Sequence, residues 1–175
     1  AVYLRLYPNS IYYEGHTAIG NVTVEEVLVD AAVGAEDDTI LRVPIPAGLF
    51  PEEHVEFTIP FTVTVPLSDD RFGFEDNVMM LAHWYPMLAV YDDEGWNLDP
   101  YVEMGDAFYT ETGFYQVTMT LPEEVVVAAS GVEVDRDRMG QGRLRITWVS
   151  GATRDFALAL SPDYRTLSQE VDGTL

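Results

Sequence analysis

Between His54 and Val65 every second residue is apolar: Val55, Phe57, Ile59, Phe61, Val63 and Val65 alternate with Glu56, Thr58, Pro60, Thr62 and Thr64. Successive side chains of an extended strand point to opposite faces, so this run reads as a β-strand with one face in a core and the other in water. Pro60 has no backbone N–H to give a ladder, so the strand lies at a sheet edge, carries a bulge, or is broken in two. The same period of two recurs at Tyr115, Val117, Met119 and Leu121, at Leu144, Ile146 and Trp148, and at Phe156, Leu158 and Leu160.

Shorter β candidates are Val2–Leu6, Asn21–Val29, Thr39–Ile45, Val78–Leu81, Met87–Tyr91 and Glu124–Ala129. Turn material separates them at Gly34–Asp38, Leu67–Gly73, Asp92–Pro100 and Asp135–Gly142. No segment carries a long helical stripe. Glu75–His83 has room for two helical turns, but β-branched and aromatic residues on both sides favour an extended reading. About ten strands, frequent Pro and Gly and no long helix define an all-β class, a large β-sandwich or pair of twisted sheets, mostly antiparallel. Without a fixed-period repeat or a linker of low complexity, residues 1–175 read as one domain.

Thirty Asp and Glu stand against nine Arg and no Lys, a net charge of −21. Such a field repels phosphate backbones and anionic lipid, so nucleic acid is excluded as a partner. The one local basic group, Arg136, Arg138, Arg143 and Arg145, is interrupted by acids and glycines and reads as a strand-turn-strand with solvated arginines. No apolar stretch reaches the ~18 residues of a membrane span, and AVYLRLYPN lacks the basic-then-apolar order of a signal peptide, so no membrane insertion by this segment is expected. The absence of Cys removes disulfides, thiolate-bound metals and thiol nucleophiles.

His16, His54 and His83 are far apart, and none belongs to an H-E-x-x-H pair. Asp135–Gly140 supplies Asp, Asp and Gly at the first, third and sixth positions of a calcium loop, yet Met139 takes a ligand position and Ile146 stands where Glu closes the loop. Asp92–Gly95 and Ser68–Asp70 are denser acid runs that read as turns in which the side chain bonds its own backbone. There is no G-x-S-x-G elbow; Ser130–Gly131 and Ser150–Gly151 read as strand-end turns, and Gly140–Gly142 as a hairpin tip. With thirty acids, some pair must suit glycoside chemistry, so that signal carries no weight.

His83, Trp84, Tyr85 and Pro86, then Tyr91 and Trp96, then Phe108 and Tyr109, form the densest aromatic region. They line a groove that stacks a sugar or clamps a peptide, or they build a core corner in which the indole N–H reaches a carbonyl. Exposed coplanar rings would mark the first, and buried rings the second.

The order of Leu4–Asn9, then Leu81–Pro86 with Tyr91, Asp92, Gly95 and Trp96, then Gly105 and Asp106, Tyr115–Pro122, Ala128–Gly131 and Ala152–Ala157 resembles the N-terminal domain of bacterial zinc aminopeptidases of the aminopeptidase N family, the gluzincins. The likeness runs nearly end to end. It implies a saddle-shaped β-sandwich that precedes a thermolysin-like catalytic domain, where H-E-x-x-H and a later Glu hold zinc and G-x-M-E-N binds the substrate amine. Neither motif occurs in this sequence. The resemblance therefore implies a non-catalytic fragment, with the domain's first strands before Ala1 and the catalytic domain after Leu175. No cofactor is expected in this chain, and zinc is expected in the parent. The implied partners are the catalytic domain of the same polypeptide and a peptide or other substrate with a free amino terminus. The implied parent is exported or membrane-associated.

By the same resemblance the domain supplies a wall of the substrate cleft. Ala82–Tyr85 stands where the family carries a Gln-rich motif and departs from it. His83, Trp84 and Tyr85 are thus the substrate-cleft candidates, an aromatic wall with His83 as polar contact, and Trp96 is expected mainly in the core. The alternatives are a free-standing β-sandwich binding module for carbohydrate or protein, with Trp84, Tyr85 and Trp96 as its platform, and a purely structural Ig-like domain.

Overall fold

The computed structural model describes residues 1–34, 37–102, 104–105 and 108–169. These form antiparallel β-sheets and, as their only helical piece, a 3-10 turn at Tyr7–Asn9. The first core lies under a four-stranded sheet ordered Met87–Leu88, Val2–Arg5, Ile40–Val43, Ala32–Val33. Leu4 faces Leu41 and Leu88 across the ladders, and Val2 faces Val43. Val2, Leu4, Leu41 and Val43 form a buried cluster with Leu6, Val22 and Val24, against which Trp96 packs, while Leu88 stays exposed.

The second core is the interior of a sandwich. One layer is ordered Gly113–Pro122, Arg143–Thr153, Val132–Gly140, and the other Val126–Ala129, Leu158–Ser161, Val78–Leu81, Phe72–Glu75. The register sets Val117 opposite Trp148, Met119 opposite Ile146 and Leu121 opposite Leu144, so both strands turn their apolar faces the same way. Phe72, Leu81, Phe156 and Leu158 fill the gap from the other layer.

The alternating run crosses from one core to the other. Val55, Phe57 and Ile59 pack on the first cluster and Val63 and Val65 on the second. The strand is indeed broken: Phe57–Thr58 pairs with Thr23–Val24, while Phe61–Thr64 pairs with His16–Ile19. Pro60 sits at the break, where its carbonyl accepts the Gly20 N–H at 2.7 Å.

Several elements differ from the sequence reading. Asn21–Val29 is a hairpin, Thr23–Val24 with Val27–Leu28, reversed at Glu25 and Glu26 with φ of 48° and 64°. Asp76 and Asn77, at 48° and 63°, make the same kind of reversal between Phe72–Glu75 and Val78–Leu81; Val78–Leu81 is extended as expected, while Phe72 and Gly73 stand in a strand rather than a turn. Asp135–Gly140 is strand as well: it pairs along Arg143–Thr147 but is exposed on both faces, so burial imposes no alternation there. Ser150–Gly151 lies within the Arg143–Thr153 strand, beside an irregularity opposite Gly113 and Tyr115. Gly140, Gln141 and Gly142 form the expected tip, all at positive φ.

Candidate functional site

The Ala82–Tyr85 corner leaves the Val78–Leu81 strand where the two cores meet. His83 takes φ of 52°, a left-handed conformation that costs a non-glycine residue about 1–2 kcal/mol. The corner is held by a segment 72 residues away: Asp155 Oδ2 accepts the His83 backbone N–H at 3.0 Å. The His83 imidazole lies 3.8 Å from the same oxygen through Nδ1, with both side chains 14% exposed.

Trp84 and Tyr85 are tied to the next residue of that segment. Trp84 Nε1 donates to the Phe156 carbonyl at 3.0 Å, and the Phe156 N–H donates to Tyr85 Oη at 3.2 Å. The two rings meet edge to face at 74°, and both pack against the sandwich core. Burial, with the bond to Tyr115 next, pushes the Tyr85 phenol far above its ordinary value. The structure therefore brings His83, Trp84 and Tyr85 together, and it turns the polar atoms of both larger rings inward. Trp96 stands apart on the first core, between Tyr3 and Tyr91.

Three further residues shape the corner. Phe108 stacks on the His83 ring, Tyr7 meets the edges of both, and Arg71 places its guanidinium 5.2 Å from the Phe108 ring centre. Arg154 Nη1 donates to the Thr110 carbonyl while Thr110 Oγ1 donates back to the Arg154 carbonyl, fixing this loop to the Asp155 segment. Behind it, a Cβ on Gly131 would come within 2.6 Å of the Val149 carbonyl oxygen, so only glycine fits where Ser130 hydrogen-bonds Ala157. Asp106 lies outside the described residues. Sequence spacing gave no sign that Asp155 and Phe156 serve this corner, although both stand in a segment that carried the family resemblance.

The Tyr7–Asn9 turn has a physical role. Asn9 is buried; its Oδ1 accepts the Thr17 N–H at 2.5 Å and its Nδ2 donates to the Asp38 carbonyl at 2.9 Å. The acid runs behave as turns: Asp92 Oδ1 accepts the Glu94 N–H, and Ser68 Oγ the Asp70 N–H.

Zinc does not fit these residues. Among the described residues no three His, Asp or Glu side chains come close enough to hold a metal ion. His16 lies in a strand paired with Phe61–Thr64, His54 in an exposed loop and His83 in the stacked corner.

The fold is an all-β sandwich, and at the corner Asp155, Trp84 and Tyr85 each hydrogen-bond to backbone groups. No family model and no curated protein matches the sequence. Among solved structures, an M1 zinc metallopeptidase from Deinococcus radiodurans superposes with a TM-score of 0.58 at 16% identity, over 91% of this chain and 34% of that one. A two-domain M1 zinc metallopeptidase variant bound to L-arginine gives 0.56 at 14% identity, with the same coverage. At such identity the likeness is one of fold. The chain spans 34% of the length of the structures that it matches.

Proposed function

We propose that this chain is the non-catalytic N-terminal domain of an aminopeptidase N-like zinc metallopeptidase, that it packs on the catalytic domain of the same polypeptide, and that it forms part of the substrate cleft. The observation that carries the reading is the agreement of fold over 91% of this chain with a part of M1 zinc metallopeptidases. In this reading zinc belongs to the catalytic domain, which supplies the metal-bound hydrolytic chemistry, and this domain supplies shape and field.

His83, Trp84 and Tyr85 are then the cleft wall. Because Trp84 Nε1 and Tyr85 Oη are engaged with Phe156, the wall acts through ring surface and a fixed backbone rather than through hydrogen bonds from those two side chains. The acidic surface favours a substrate with a cationic amine. A sugar-binding platform is less well supported, since Trp84 and Tyr85 are half-buried and nearly perpendicular.

The test compares the 175-residue chain with the product of the reading frame continued past Leu175, measuring zinc content and aminoacyl-arylamide turnover. Zinc and turnover in the longer protein, with an inert short chain, are expected. Turnover by the short chain, or a zinc-free inert longer product, would sink the proposal. In an active longer protein, His83→Ala should change KM while zinc content stays constant; an unchanged KM would remove His83 from the wall.

A further inference from the structure

A groove of about 660 Å³ opens at the far end of the first core, between the Thr23–Leu28 hairpin and the loop from Ile45 to Val55. Its apolar lining includes Val24, Val27, Ile45, Leu49 and Val55. Val24 belongs to the buried cluster and Ile45 and Val55 pack on it, so the groove reaches the core itself. Val27 and Leu49 stand 63% and 46% exposed on its sides. A concave apolar space of this volume suits a small organic ligand.

The charged residues lining it are all of one sign. Glu25, Glu52 and Glu53 line the groove together with His54, and no Arg does. Two of the carboxylates are held in place by the backbone: Glu25 Oε1 accepts the Glu56 N–H at 2.8 Å, and Glu53 Oε2 accepts the Phe50 N–H at 2.9 Å. Each keeps a second oxygen for an incoming donor. Glu52 is fixed at φ of 70°, an unusual conformation for a glutamate, as part of the turn that shapes the loop.

We propose that this groove binds a hydrophobic organic cation, an alkyl- or arylalkylammonium group, with its apolar tail on Val24, Val27, Ile45, Leu49 and Val55 and its ammonium among Glu25, Glu52 and Glu53. Charge complementarity selects this occupant over a fatty acid of the same length, whose carboxylate would meet three like charges in a chain of net charge −21. The tail distinguishes the site from counterion condensation on an acidic protein, because affinity should grow about three- to fourfold for each buried methylene.

The test is calorimetric titration of the 175-residue chain with butyl-, hexyl- and octylammonium, octanoate and octanol, each below its aggregation concentration. Saturable one-to-one binding of octylammonium, a rise in affinity with chain length and no detectable octanoate binding are expected. Glu52→Gln with Glu53→Gln should weaken binding at least tenfold, and so should Leu49→Ser, which leaves the charge unchanged. Both sets of substitutions lie in an exposed loop, and circular dichroism checks that the variants fold. Binding that ignores chain length, equal binding of octanoate, or indifference to Leu49→Ser would overturn the proposal. Self-association at the groove, seen as a dimer in sedimentation that Leu49→Ser dissolves, would overturn it in favour of a second copy.

Discussion

His83 lies flat against Phe108, with ring centres 3.8 Å apart and planes 8° from parallel. The stack fixes the imidazole while Asp155 fixes the backbone behind it, so a strained corner is held from two sides. Removing the acceptor should expose that strain. Asp155→Ala leaves the His83 N–H without its partner and should cost about 1–3 kcal/mol, whereas Asp155→Asn keeps an acceptor and should cost less. Urea denaturation of the two variants measures the difference, and equal stability of Asp155→Ala and the parent would show that the corner holds without it.

Trp84 contributes both ring volume and one hydrogen bond. Trp84→Phe keeps most of the packing and should cost about 1–3 kcal/mol through the unsatisfied Phe156 carbonyl. Trp84→Ala should cost about 3–5 kcal/mol. Equal losses for the two variants would mean that packing contributes little.

Asn9 bridges two segments that are otherwise separate in sequence. Asn9→Ala strands a buried Thr17 N–H and the Asp38 carbonyl together, a loss of about 2–4 kcal/mol. Hydrogen exchange at Thr17 should accelerate in the variant more than at Val117 in the sandwich. Uniform acceleration would assign the loss to global unfolding alone.

Alkaline pH should unfold the protein through its phenols. Burial raises the pKa of Tyr7, Tyr13 and Tyr85 above the ordinary value near 10, and the bonds to Tyr101 and Tyr115 add to this at the latter two. The folded state therefore holds these protons more tightly than the unfolded chain. The stability they provide is fully present below pH 10 and declines as the pH rises above it. Denaturation midpoints should fall above pH 10, with part of the tyrosinate absorbance appearing only on unfolding. Ionisation of all ten tyrosines near pH 10 in a still-folded protein would contradict this.

Burial decides what the sequence displays. The alternation from Val55 to Val65 is legible because one face meets a core along its whole length, even though that core changes at Pro60. The Val132–Gly140 strand left no such mark, since water bathes both its faces. Asp76–Asn77 is recognisable turn chemistry, whereas Glu25–Glu26 adopts the same reversal with residues that rarely do. At the corner, the aromatic residues were visible as a cluster. Their partners were not, because Asp155 and Phe156 are 72 residues from His83 and Trp84, and only the closing of the sandwich brings them within reach.

From Asp135 to Arg138 the exposed Val132–Gly140 strand sorts its charges by face. Asp135 and Asp137 lie on the outer face with Thr147 and Arg145, while Arg136 and Arg138 lie on the side of Ile146 and Leu144. Were two molecules to join along this edge about a twofold axis, their outer faces would be continuous, and carboxylate would land opposite carboxylate. The edge thus discriminates against its own image, a form of self-avoidance written into a single strand.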